Sequence, residues 1–306
     1  MKTAQFTPGE WFDFGLRDRF EHNGHTIFYV DDTADAQKTA LLLVHGFPTS
    51  SYDWVYMWPK LKKKYRLIAP DMIGFGYSDK PVQYDYSIMD QADLHEALLK
   101  QLGVSEMHVL AHDYGDTVAQ ELLARYEERL AARARGGPDT FPRYKSITFL
   151  NGGLFPETHR ARLIQKLLIS PLGSLITKVM GEKTFRKKFS EVFGPHTKPS
   201  DRELKDFWQI IQYQKGTRIY HKLIRYMADR RRHRERWVAC LQNTKIPIRL
   251  INGPADPVSG LHMTERYREL IANPDIVLLD GIGHYPQTED PAGVLRAFLE
   301  FVQSHD

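Results

Sequence analysis

The stretch Val109–Asp116, which reads Val-Leu-Ala-His-Asp-Tyr-Gly-Asp, constrains this chain more than any other. An apolar run ends in a tight turn around Asp113 and Gly115, and a helical pattern continues from Thr117 to Tyr126. Strand, sharp turn and helix in that order describe an elbow that lifts one side chain above the edge of a sheet. Serine is the usual occupant of the apex; here it is Asp113. A carboxylate in that place attacks carbon directly and leaves an ester on the protein, which water must then cleave. Asp113 also suits an ordinary helix N-cap, so the rest of the chain has to decide.

Apolar runs recur at Leu41–Val44, Leu67–Pro70, Met107–Ala111, Ile147–Leu150, Ile246–Ile251 and Ile276–Leu279. Between them lie helical periods, including Ile88–Leu102 closed by Gly103, Met263–Ala272 and Ala292–Val302. Such alternation predicts a mostly parallel sheet covered by helices. Asn23-Gly24 between two short strand-like runs predicts a hairpin, and Gly136-Gly137-Pro138 within Arg133–Pro142 a surface loop. From Gly152 to Cys240 the alternation stops. That stretch reads as helices at 160–168, 173–180, 183–189, 201–214 and 218–242, with no strand, and predicts a lid over the C-terminal edge of the sheet. The organisation expected is a core of residues 1–151 and 241–306 with a helical cap over 152–240.

An attacking carboxylate needs a base for the hydrolytic water, a group that orients the base, and donors for the oxyanion. His284 follows the last strand, in Gly281-Ile282-Gly283-His284-Tyr285-Pro286, where flanking glycines give the loop room. Imidazole is the side chain best suited to take a proton near neutral pH. Asp256, in Asn252-Gly253-Pro254-Ala255-Asp256-Pro257, is the candidate orienter and keeps the chain order nucleophile, acid, histidine. The oxyanion donors expected are the backbone N–H groups of Phe47, directly after the strand ending at Val44-His45-Gly46, and of Tyr114.

His45-Gly46-Phe47-Pro48, Asp71-Met72-Ile73-Gly74-Phe75-Gly76-Tyr77-Ser78, His112-Asp113-Tyr114-Gly115, Asp256 and Gly283-His284 together resemble the α/β-hydrolase superfamily, in its epoxide hydrolase and haloalkane dehalogenase branch. The wider wording at 45–54, 112–121 and 151–160 is similar to the mesoderm-specific transcript group. The resemblance implies an α/β-hydrolase fold: a mostly parallel eight-stranded sheet flanked by helices, with a helical cap inserted after strand 6. It implies an Asp113–His284–Asp256 triad and a small apolar substrate. For an epoxide hydrolase it further implies two lid tyrosines that donate to the leaving alkoxide. Tyr213, Tyr220 and Tyr226 are the candidates, Tyr226 matching the late-lid position, while residues 152–212 contain no tyrosine. The branch's dehalogenases hold halide with side-chain N–H donors; Phe47 and Tyr114 stand where two of these would be, and Trp208 or Trp237 of the lid would have to substitute. Dehalogenation is therefore the alternative, and an ester- or lipid-directed or silent member of the fold is a third. Asp116 departs from the branch, which has a small residue there.

Charge is uneven. Residues 152–240 hold 20 Lys and Arg against 8 Asp and Glu, whereas the whole chain is only +4. The run Arg230-Arg231-Arg232-His233-Arg234 leaves open a weak contact with anionic membrane surfaces, and amphipathic cap helices leave open a homodimer through the cap. No motif supports nucleic-acid binding. No metal-ligand cluster or dinucleotide fingerprint is present, so no cofactor is expected. Cys240 is the only cysteine, no apolar run has the roughly 18–20 residues a bilayer span needs, and the first ten residues are unlike a secretory signal. A cytoplasmic protein is the expectation.

Overall fold

The computed structural model describes residues 4, 6–16, 19–32, 38–138 and 142–305. Strands β1 (Glu21–His22) and β2 (His25–Thr26) form a separate two-stranded ribbon. Its turn has Asn23 at φ 51° and Gly24 at φ 74°, the positive values that Asn-Gly readily adopts. The main sheet contains β3 (Tyr29–Asp31), β4 (Ala40–Val44), β5 (Arg66–Pro70), β6 (Glu106–His112), β7 (Arg143–Leu150), β8 (Ile248–Asn252) and β9 (Asp275–Leu278). Their spatial order is β3-β5-β4-β6-β7-β8-β9. Only β3 is antiparallel, against β5 at the edge. Among the described residues seven strands stand where eight were expected; the hairpin strands pair with each other and not with the sheet.

The central strands are apolar on both faces because helices cover both, and every residue of β4 is buried. Helix Ile88–Gln101, capped by Ser87 accepting from Asp90 N, packs on helix Tyr114–Arg133. It stops at Gly103, whose φ of 64° ends a helix at little cost. Helix Pro291–Gln303 packs against β8. Of the expected loop at 133–142, residues 139–141 lie outside the described residues; Gly136 turns with φ 91°.

Between β7 and β8 the described residues form helices and no strand: Leu163–Ile169, Gly173–Val179, Glu182–Ser190, Asp201–Gln212, the 3-10 helix Tyr213–Ile219, Tyr220–Leu223, Tyr226–Arg232 and Arg234–Asn243. In chain order this insertion follows the fifth strand of the main sheet, one earlier than expected. The single helix expected over 218–242 is divided into three, with one break at His233. Its pieces answer to different partners. Arg230 reaches the elbow at Asp113, while Trp237 donates its indole N–H to Glu121 on helix Tyr114–Arg133. Among the described residues no helix is long and apolar enough to cross a membrane.

Candidate active site

Parallel strands bring their C-terminal ends to one edge, and the loops leaving those ends carry the site. Asp113 follows β6 directly. Its backbone is held at φ 49° and ψ −106°, outside the favoured wells of a non-glycine residue. The neighbours make this bend possible. A Cβ on Gly115 would lie 2.4 Å from Val44 O, and one on Gly46 would lie 2.9 Å from Asp113 Cβ. Asp113 is 3% exposed, yet it does not cap the helix it begins. Its Oδ2 instead accepts from Phe47 N at 3.1 Å. Tyr114 N is the next amide along the chain and begins the helix.

Asp256 and His284 arrive from the ends of β8 and β9. His284 Nδ1 bonds Asp256 Oδ2 at 2.7 Å, and His284 Nε2 lies 3.8 Å from Asp113 Oδ1. Asp256 accepts further from Val258 N, Ser259 N, Ser259 Oγ and Asn151 Nδ2 at 2.7–3.1 Å. The histidine loop is itself anchored. The Glu289 carboxylate accepts from Gly283 N at 2.9 Å and Tyr285 N at 3.0 Å, the two amides flanking His284. His112 Nε2 bonds His284 O at 2.7 Å. Burial pushes the His112 pKa down to about 3, so it holds that loop as a neutral ring.

Burial also disfavours charge on His284. The Asp256 charge and hydrogen bond, helped by Asp113 and Glu289, outweigh it and push the imidazole up to about 9. For Asp256 burial is again the largest influence, but the His284 charge and the donors around the carboxylate hold it below its ordinary value. The resting pair is thus carboxylate and imidazolium.

The lid tyrosines divide. Tyr220 lines the cavity above Asp113 and donates its hydroxyl to Pro48 O at 3.3 Å. Tyr226 is buried behind the lining and does not face the cavity; it lies edge-on to Tyr114 with centroids 4.9 Å apart, and the nearby Asp113 charge adds to burial in raising its pKa. Tyr213 is not brought to the site. It packs on Tyr77 and Phe12 and does not line the cavity, since the chain turns away through left-handed Gln214 and Lys215. The cavity measures about 120 Å³. Asp113 and His284 lie on its floor, and Ile164, Leu168, Met180, Phe185, Phe189 and Val192 of the insertion form its walls.

Sequence reasoning missed Arg230, which it read as part of a basic run open to anionic membrane surfaces. The side chain is 2% exposed. Its Nε donates to Thr117 Oγ1 at 2.7 Å, its Nη2 donates to Asp113 O at 3.0 Å, and Nη2 lies 3.9 Å from Asp113 Oδ1. The guanidinium covers the Tyr226 ring at 4.5 Å. A buried cation beside a buried carboxylate offsets part of the cost of burying each. In the rest of the run Arg231 and Arg232 are exposed, and Arg234 pairs with Glu157. The available signal was Gly152-Gly153 directly after β7. A Cβ on Gly153 would lie 2.3 Å from Arg230 Nη1, and one on Gly152 would lie 2.0 Å from Asp116 Oδ2. Asp116 fills the space at Gly152 with neither oxygen hydrogen-bonded, and burial, then the Asp113 charge, drives its pKa well up. Among the described residues no His, Cys, Asp and Glu group could hold a metal ion.

Comparison with known proteins agrees with the fold. A model of the α/β hydrolase fold matches residues 39–291. The mesoderm-specific transcript protein of Mus musculus is 41% identical over 293 residues, covering 93% of this chain and 85% of that one. A putative hydrolase, LipZ, of Mycobacterium tuberculosis is 35% identical over 263 residues, covering 86% of this chain and 88% of that one. Among solved structures, haloalkane dehalogenase DbeA of Bradyrhizobium elkani superimposes with a TM-score of 0.76 at 20% identity, over 95% of this chain and 98% of that one. From strand order, elbow and these relatives alike, the chain belongs to the α/β-hydrolase superfamily.

Proposed function

We propose that the protein is a hydrolase of the epoxide hydrolase type, working through an ester on Asp113. The observation that carries this reading is the division of labour between the two Asp113 oxygens. Oδ2 is held by an amide, while Oδ1 faces His284 and carries the attack. Attack on an epoxide carbon forms the Asp113–carbon ester and breaks the ring carbon–oxygen bond, whose electron pair leaves on oxygen. The resting imidazolium supplies the proton that this alkoxide gains, with the Tyr220 hydroxyl, which lines the cavity, turning from Pro48 O to guide it. Esterification also removes the Asp113 charge, one of the influences that keep His284 protonated. The imidazole is therefore left neutral at the moment a base is required.

His284 then takes a proton from water, whose oxygen attacks Cγ of Asp113. The amides of Phe47 and Tyr114 hold the tetrahedral oxyanion. Collapse expels the second diol oxygen with the proton from His284, and the regenerated Asp113 carboxyl returns its own proton to the ring. The sum is epoxide plus water to diol. Arg230 fixes the elbow through Asp113 O and balances the buried carboxylate. For dehalogenation the Trp237 indole N–H is already committed to Glu121, which leaves Trp208, packed on Phe185 of the cavity wall, as the lid indole for a halide. The test is His284→Gln exposed to a panel of epoxides and haloalkanes. A covalent mass increase with an epoxide, absent in Asp113→Asn, is expected; an unmodified His284→Gln would refute the mechanism, and an adduct only with haloalkanes would select the alternative.

A further inference from the structure

Leu163, Leu167, Ile169, Leu172 and Leu175 are all exposed, Leu163 and Leu172 by 70% and 60%. They sit on the helices Leu163–Ile169 and Gly173–Val179 and the turn between, which pack on each other. A single exposed leucine needs no explanation, but a contiguous cluster marks an interaction surface. This cluster is the outer skin of a cavity wall, because Ile164 and Leu168 of the first helix line the cavity above Asp113. Its setting is cationic. Residues 160–188 contain eight Lys and Arg and a single acid, Glu182. Lys166 and Lys178 are exposed on the same two helices as the apolar side chains, and Arg160, Lys183 and Lys187 are exposed on the chain flanking them.

We propose that this face docks on an anionic lipid bilayer, placing the cavity wall against the membrane so that lipophilic substrate arrives from the hydrocarbon side. Apolar side chains fringed by lysine are what a surface lying in the headgroup region presents, with insertion and charge attraction acting together. A second copy of the chain fits less well, since a two-fold contact would set like charges opposite one another. The delivery of substrate rests on the ester mechanism above; the docking does not.

The test is cosedimentation of the full chain with phosphatidylcholine vesicles, with and without phosphatidylglycerol, at low and high salt. No turnover is read, so failure of the catalytic reading leaves the result intact. Binding is expected to vesicles containing phosphatidylglycerol and to weaken with salt. Leu163→Ser/Leu172→Ser/Leu175→Ser is expected to reduce it at least about tenfold, and Lys166→Glu/Lys178→Glu/Lys183→Glu similarly, with unfolding midpoints unchanged because these side chains are exposed. Absence of vesicle binding, or binding unaffected by the leucine substitutions, would overturn the proposal. So would a homodimer that the leucine substitutions dissociate without vesicle binding by the wild type.

Discussion

Asn at position 256 keeps the shape of the side chain and removes its charge, which isolates what that charge does to His284. The rise of the imidazole from 6.5 to about 9 is a net preference for imidazolium of roughly 3 kcal/mol. Burial is the largest single influence and acts in the opposite direction. With the Asp256 charge gone, the midpoint is expected to fall below 6.5, even with Asp113 Oδ1 still 3.8 Å away. The ring then lacks the proton for the departing alkoxide, and an amide that can present either its oxygen or its NH2 to Nδ1 no longer fixes the Nδ1–H tautomer. Turnover is expected to fall by about a thousandfold or more. The imidazole carbon–hydrogen signals followed by NMR across pH, assigned by difference against His284→Gln, give the midpoint. Rapid quenching with intact-mass detection gives the rates of ester formation and breakdown. A midpoint that stays near 9 in Asp256→Asn would refute the reasoning, because the remaining carboxylates, not Asp256, would then be holding the proton.

Four further outcomes follow from the same geometry. A histidine whose pKa is raised by folding contributes its stability in full below 6.5 and loses it as pH rises through about 9; urea unfolding at pH values on either side is expected to show a loss of roughly 3 kcal/mol from this group. Arg230→Met removes one of the two cations beside the Asp113 carboxylate and leaves His284 as the other, and unfolding measurements are expected to show a loss toward the lower end of about 3–5 kcal/mol. Gly153→Ala forces a methyl against that same guanidinium and is expected to cost about 1–3 kcal/mol by the same measurement. Tyr220→Phe, in the cavity lining, is expected to slow ester formation by about tenfold or more in pre-steady-state assays, whereas Tyr213→Phe, away from the cavity, is expected to leave it unchanged.

The parts of the site that were legible in the sequence are those whose turn chemistry is local. Asp113 stands between a strand and a helix, Asp256 precedes a proline after another strand, and His284 lies among glycines after the last. The structure brings His284 within 4 Å of each of the other two. What stayed illegible depends on side-chain burial across elements. Arg230 reads as one of four arginines in five residues until Gly153 is seen to leave a hole for it. Tyr213 and Tyr220 are indistinguishable by spacing, and a left-handed turn at Gln214 and Lys215 separates their destinations. The break at His233 has the same origin, since helical periodicity does not show that Arg230 and Trp237 face different partners. The short hairpin strands carry the pattern of sheet members without joining the sheet.

Arg230 also divides the insertion mechanically. Lifting helix Tyr226–Arg232 away from the core would tear its guanidinium from Thr117 Oγ1 and Asp113 O and disturb the bend on which the carboxylate is perched. That portion is bolted to the machinery it covers. The walls from Leu163 to Val192 have no such bolt to Asp113; their tie to the machinery is Val192 O, which accepts from His284 N, so a displacement on that side would be felt by the base before the nucleophile.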